Sequence, residues 1–140
     1  MSRPTFVTID TAALRHNLER VRQIAAGRSI LAMVKANAYG HGVVRVAQAL
    51  NQADALGVAS LEEGMRLREA GSMQTIVLIE GLFHEDELAE AAKNNFTLVV
   101  HHLPHLEMLE KARVETPFSV WLKINTGMHR LGIDPHDVTS

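Results

Sequence analysis

The stretch Ile30-Leu31-Ala32-Met33-Val34-Lys35-Ala36-Asn37-Ala38-Tyr39-Gly40-His41-Gly42 sets one lysine at the end of an apolar run, directly before a turn of small residues. A strand of Ile, Leu, Met and Val points alternate side chains to opposite faces. Leu31, Met33 and Lys35 then share a side, and the amine emerges from apolar surroundings. Partial desolvation of that kind disfavours the ammonium form and leaves the amine able to attack a carbonyl, as in a Schiff base. The plainer reading is a strand-end lysine whose stem packs on the apolar run while its head reaches water.

Outward from this stretch, strand-like and helix-like runs alternate. After the short run Phe6 to Ile9, Asp10 can cap a helix with Leu14, Leu18, Val21 and Ile24 on one face and Gly27 at its end. Beyond the lysine strand, Val43, Val46, Ala47 and Leu50 keep helical spacing, and Ala55 to Ala59 reads as a second buried strand. Ser60 and Glu63 form a capping box for a helix that ends near Gly71. Gln74 to Glu80 reads as strand three, Glu85 to Lys93 as a helix and Phe96 to His101 as strand four. Pro104 to Arg113 follows as a helix and Phe118 to Asn125 as strand five. The strands are continuous apolar runs, as expected of parallel strands. The order βαβα suits both a doubly wound sheet and an eight-unit barrel, and no Gly-rich dinucleotide fingerprint follows any strand, which weakens the first.

Composition narrows the function. The chain has 140 residues, with 14 Lys plus Arg against 16 Asp plus Glu, and no long basic run. Nucleic acid and anionic membranes are therefore not expected partners. The absence of cysteine excludes disulfides, a thiolate nucleophile and thiolate metal sites. No apolar segment has the length of a signal peptide core or of a membrane span, so a soluble cytoplasmic protein is expected.

The run Val34-Lys35-Ala36-Asn37-Ala38-Tyr39-Gly40-His41-Gly42 closely resembles the pyridoxal phosphate attachment segment of alanine racemases. Related decarboxylases share only the Val-Lys-Ala-Asn core, so Tyr39-Gly40-His41-Gly42 points to the racemase. The resemblance covers essentially the whole chain. It implies an α/β fold, a parallel (β/α) barrel of the alanine racemase type followed by a β-rich domain. About five of the eight β/α units can be counted. Residues 1–140 are then the N-terminal part of the pyridoxal phosphate-binding barrel, without the C-terminal β domain. An open piece of a barrel leaves two unpaired edges and an exposed inner face. The expectation is the N-terminal portion of a racemase, truncated or completed by another chain.

The same resemblance assigns roles. Lys35 would hold pyridoxal 5'-phosphate as an internal aldimine and, once displaced, act as base on the D-enantiomer face. The opposite face uses a tyrosine from the C-terminal domain of the partner subunit. This chain has one tyrosine, Tyr39, which the resemblance places beside the cofactor phosphate. The second base is therefore absent. Trp121-Leu122-Lys123-Ile124-Asn125-Thr126-Gly127-Met128-His129-Arg130 resembles the family's Lys-x-x-Thr-Gly-Met-x-Arg segment. Arg130 would meet the substrate carboxylate and the cofactor phenolic oxygen, and Lys123 would be carbamylated and hold that arginine.

Eight histidines raise the question of a metal. His101, His102 and His105 cluster after strand four, but Pro104 interrupts the zinc-helix spacing of His101 and His105, and solvated loop histidines with no metal are expected. His41 would organise the lysine turn. Gly40 and Gly42 allow close backbone approach there, and the helix after them would present free amides to an anion. The expected function is a pyridoxal phosphate-dependent alanine racemase, homodimeric when full-length, supplying D-alanine for the bacterial cell wall or breaking it down. Two other readings stand beside it. One is a catalytically incompetent fragment that at most binds the cofactor; the other is a small pyridoxal phosphate homeostasis protein of related barrel fold.

Overall fold

Asp10 opens the first helix: its carboxylate accepts the Ala12 and Ala13 amides at 2.9 and 3.0 Å, and α1 runs Thr11–Ala25. The structure is a computed structural model that describes residues 5–139. After α1 come β1 (Leu31–Met33), a short helical turn α2 (Lys35–Tyr39), α3 (Val43–Ala49), β2 (Ala55–Val58), α4 (Leu61–Glu69) and β3 (Thr75–Leu78). A 3₁₀ turn at Glu85–Glu87 leads into α5 (Leu88–Lys93), followed by β4 (Thr97–Val100), α6 (Leu103–Lys111), β5 (Ser119–Leu122) and a 3₁₀ turn at Pro135–Thr139.

Each expected strand is present but shorter than its apolar run. The first ends at Met33, so Lys35 lies beyond the strand and not on it. The expected helix from Glu85 is divided, because the Glu87 carboxylate turns back to accept the Phe83 and His84 amides at 2.7 and 3.1 Å and tightens the first turn.

The five strands form one sheet in the order β1-β2-β3-β4-β5, and every pair is parallel. A doubly wound sheet reverses direction at a switch point, whereas strictly sequential order is that of a barrel wall. The helices cover one face. Val34, Leu56, Val58, Ile76, Leu78 and Leu98 of that face pack with Leu18, Val46, Leu67, Ala91 and Phe96. Arg68 ties two connections together, donating to the carbonyls of Ser72, Gln74 and Asn94 while its guanidinium lies 5.4 Å from the Phe96 ring centroid.

No helix covers the other face, yet Ala55, Val77 and Val99 are buried there against Leu31 and Ile79. A flat sheet would leave them open, so the sheet curls towards this inner face. The expected exposure is real only at the edges, where Met33 and Trp121 are 37% and 46% exposed and all of β5 is open. Among the described residues no helix is long and apolar enough to cross a membrane.

Candidate active site

The lysine segment winds the wrong way. Ala36, Asn37 and Ala38 have φ of 52–54° with ψ of 45–50°, and Tyr39 has φ 53°, which is a left-handed helical turn built from residues that all carry a Cβ. Each such residue costs about 1–2 kcal/mol relative to right-handed backbone. What holds the turn is a set of hydrogen bonds, some within the segment and one from a carboxylate distant in sequence. Glu63, on α4, accepts the Asn37 amide with one carboxylate oxygen (3.2 Å) and the Ala59 amide with the other (2.9 Å). Asn37 in turn accepts the Val43 amide on Oδ1 (2.9 Å), and its backbone carbonyl takes the Gly42 amide (2.9 Å). His41 approaches the Ala38 carbonyl with both its amide and Nδ1, at 3.1 and 2.8 Å, so it organises the turn as expected.

Two expectations change here. Glu63 reaches past Ser60 to Ala59 and the lysine turn, so only the Ser60 half of the expected capping box forms, its hydroxyl 3.5 Å from the Glu63 amide. The first amide of α3 is already taken by Asn37, which removes it from the anion-presenting set that the glycines suggested.

The turn delivers Lys35 to the C-terminal rim of the strands. Its side chain is 30% exposed, and Nζ lies 3.7 Å from Glu80 Oε1. Glu80 follows β3, so the lysine leans across the end of β2 to reach it. Glu80 also accepts, on its backbone carbonyl, the Nε2–H of His101 at 3.1 Å; a carbonyl cannot donate, which sets the tautomer of that ring. Tyr39 is 59% exposed, and its hydroxyl has no hydrogen bond to a described residue. Lys35 and Glu80 thus meet at the rim, and Tyr39 ends the same turn.

At the far edge, Lys123 follows β5 on the face of Trp121, its amide bonded to the Val100 carbonyl at 2.8 Å. Beyond it a loop closes on itself through the Ile124 and Ile133 bridge, with the Asn125 amide on the Ile133 carbonyl and the Ile133 amide on the Lys123 carbonyl, both at 2.9 Å. Asn125 Oδ1 accepts the Gly127 and His129 amides at 3.1 Å each, and a Cβ on Gly132 would fall 2.6 Å from the Asn125 nitrogen, so only glycine fits the neck. Arg130 stands exposed on this loop and bonds to no described residue. It follows a strand end of the same polarity as Lys35, but no contact joins it to Lys35 or Lys123.

The histidines after β4 depart from the expected solvated loop. Pro104 sits in the first turn of α6, where a missing amide hydrogen is harmless, and His105 is buried at 8% exposure. Burial pushes its pKa down to about 4, with His102 and His101 adding to the effect against an opposing Leu82 backbone.

The family model for the N-terminal domain of alanine racemase matches residues 9–140. The chain belongs to the alanine racemase N-terminal domain family. It is 50% identical over 130 residues to the alanine racemase of Nitrosococcus oceani, covering 93% of this chain and 36% of that protein. It superposes on the alanine racemase of Acinetobacter baumannii with a TM-score of 0.86 at 48% identity, over 94% of this chain and 38% of the other. The alanine racemase of Bartonella henselae, solved with covalently bound pyridoxal phosphate, matches with a TM-score of 0.80 at 28% identity, over 94% and 39% of the two chains. The chain thus spans little more than a third of the length of these relatives.

Within this racemase domain, sequence reasoning missed Glu80 and Glu63 as partners of the lysine segment. Glu80 carried a usable signal, standing two residues past its apolar strand as Lys35 stands two past Met33. Glu63 carried none, since its reach to Asn37 is tertiary. The left-handed turn has a direct test. Ala36→Gly should be neutral or stabilising by up to ~1 kcal/mol in urea unfolding, because glycine adopts positive φ freely. Ala13→Gly, on the exposed right-handed α1, should cost about 1 kcal/mol. An equal loss at both positions would contradict the turn.

Proposed function

We propose that this chain forms the lysine-bearing half of the active site of a pyridoxal phosphate-dependent alanine racemase, an isomerase that interconverts L-alanine and D-alanine as a cytoplasmic homodimer. The carrying observation is the placement of Lys35: a half-buried amine at the strand rim, positioned by a strained turn, in a chain half identical to a named alanine racemase. The covalent pyridoxal phosphate of the Bartonella henselae enzyme supports an amine-linked cofactor.

The residues fit that group. Lys35 offers the only amine in the turn, the exposed Tyr39 at its end offers a hydroxyl for a phosphate, and the inner face of the sheet is open at Met33. When bound through its aldehyde, the cofactor acidifies the substrate α-carbon by spreading negative charge over its ring. Lys35 then takes or returns the α-proton on the D-alanine face. Its contact with Glu80 limits the rotamers of a flexible side chain and aims Nζ before substrate arrives. Arg130, on its pinned loop, presents a planar fork to the substrate carboxylate.

The partner face needs a second base, and Tyr39, the one tyrosine here, belongs to the lysine turn. We therefore assign that base to residues outside these 140, contributed by a partner subunit. With pyridoxal phosphate in deuterium oxide, the 140-residue chain should exchange the α-hydrogen of D-alanine without forming L-alanine, and Lys35→Ala should abolish the exchange. Net racemisation by the chain alone would place the second base within it, and cofactor binding without exchange would remove Lys35 as a base.

For Lys123 the proposal is carbamylation. The neutral amine adds carbon dioxide and loses a proton, turning a cation without a described partner into an anion that can hold Arg130. Native mass spectrometry in bicarbonate should show one adduct that disappears in Lys123→Ala. An adduct that persists in that variant, or none at all, would contradict it.

A further inference from the structure

Three histidines of the β4–α6 connection meet where the expected fold role explains none of them. His101 ends the β4 connection, His102 caps α6 from outside, and His105 enters through the first helical turn. Their ring centroids are 3.9–4.7 Å apart, and one ring nitrogen of each lies within 4.8 Å of the others. Three like rings have no reason to gather for packing alone, since each carries a nitrogen that wants a partner.

The partners are distributed in an informative way. His101 spends Nε2–H on the Glu80 carbonyl, which leaves Nδ1 with a free lone pair, the arrangement by which a backbone carbonyl orients a metal-binding imidazole. His105 is more than nine-tenths buried, and no hydrogen bond of normal geometry reaches its Nδ1. Its ring sits so close to Gly81 that a Cβ there would fall 2.6 Å from it, so the chain makes room for this imidazole. His102 is exposed at the mouth, in an open cleft of about 400 Å³ that Glu85 also lines.

We propose that His101, His102 and His105 form a binding site for a divalent transition metal ion of the zinc class. Imidazole suits such ions, whereas calcium and magnesium require oxygen ligands. Zinc–nitrogen bonds of about 2.0–2.1 Å place tetrahedral ligand atoms roughly 3.3 Å apart. Ring nitrogens within 4.8 Å of one another close on an ion by at most about 1.5 Å, and the exposed His102 is free to change rotamer. The fourth position opens to the cleft and takes water. Because Glu80 links His101 on its carbonyl to Lys35 on its carboxylate, the ion would brace the residue that positions the lysine. The metal site rests on the geometry of the three histidines and stands whether or not the proposed racemase reading does.

The test uses the untagged 140-residue chain stripped with a chelator and titrated calorimetrically with zinc, with cobalt as a visible-spectrum probe. One equivalent should bind, and NMR should show the rings of His101, His102 and His105 perturbed. His102→Ala, at an exposed position, should keep its urea midpoint in chelator and lose roughly tenfold or more in affinity. His16→Ala, on α1, should bind as the parent does. No saturable one-equivalent binding, or equal binding by His102→Ala, would overturn the site.

Discussion

The structure depends on one carboxylate holding a turn that the backbone resists. Four consecutive residues with a Cβ, Ala36 to Tyr39, wind left-handed, separated from β1 by two residues, and Glu63 bridges that turn to the end of β2 by accepting the Asn37 and Ala59 amides. Four such residues are disfavoured by about 4–8 kcal/mol together, of which a charge-assisted hydrogen bond of about 1.5–3 kcal/mol from Asn37 to Glu63 offsets a part. The bonds of Asn37 to Val43 and Gly42 and of His41 to Ala38 share the rest of the load. A right-handed continuation would have carried the chain on towards α3 along a different path. The left-handed turn instead reverses within four residues and leaves Lys35 at the rim. Strain of this kind persists where surrounding contacts over-determine it, and it collects at sites of function.

The sheet supplies the second constraint. β1 and β5 are four inter-strand spacings apart, about 19 Å if the sheet were flat. At that separation the proposed pairing of Lys35 and Arg130 around one small ligand would be out of reach. The burial of Ala55, Val77 and Val99 without any covering helix shows that the sheet curls towards the face they share with Trp121. The curl and the sequential strand order are the same geometric fact, a barrel wall in the making, and they bring the two edges round towards a common space. Between them, Glu80 and His101 occupy the rim of β3 and β4, so most of the chemistry-bearing side chains stand after strand ends of one polarity.

Much of this was legible in the residues. Apolar runs gave five strands in their proper places, and Asp10 and Ser60 marked helix starts that the hydrogen bonds bear out. The misreadings share a cause. Alternation along Ile30 to Lys35 suggested a lysine on a strand, but the strand ended at Met33 because Glu63, distant in sequence, captured the backbone beyond it. Pro104 suggested a break, yet proline fits a first helical turn, and so His105 was folded inward to meet His101 and His102. Local pattern reads periodicity well. It does not report which side chain from another element will accept a backbone amide, and both the left-handed turn and the Lys35–Glu80 contact rest on such partners.

The central claim is that the turn presents Lys35, and no other amine, to an aldehyde cofactor at the rim. It is tested most directly by incubating the chain with pyridoxal phosphate, reducing with borohydride and mapping the modified peptide by mass spectrometry. A single stable adduct on Lys35 is the predicted result. Labelling that falls on Lys123, or spreads over the lysines without preference for Lys35, would contradict the account.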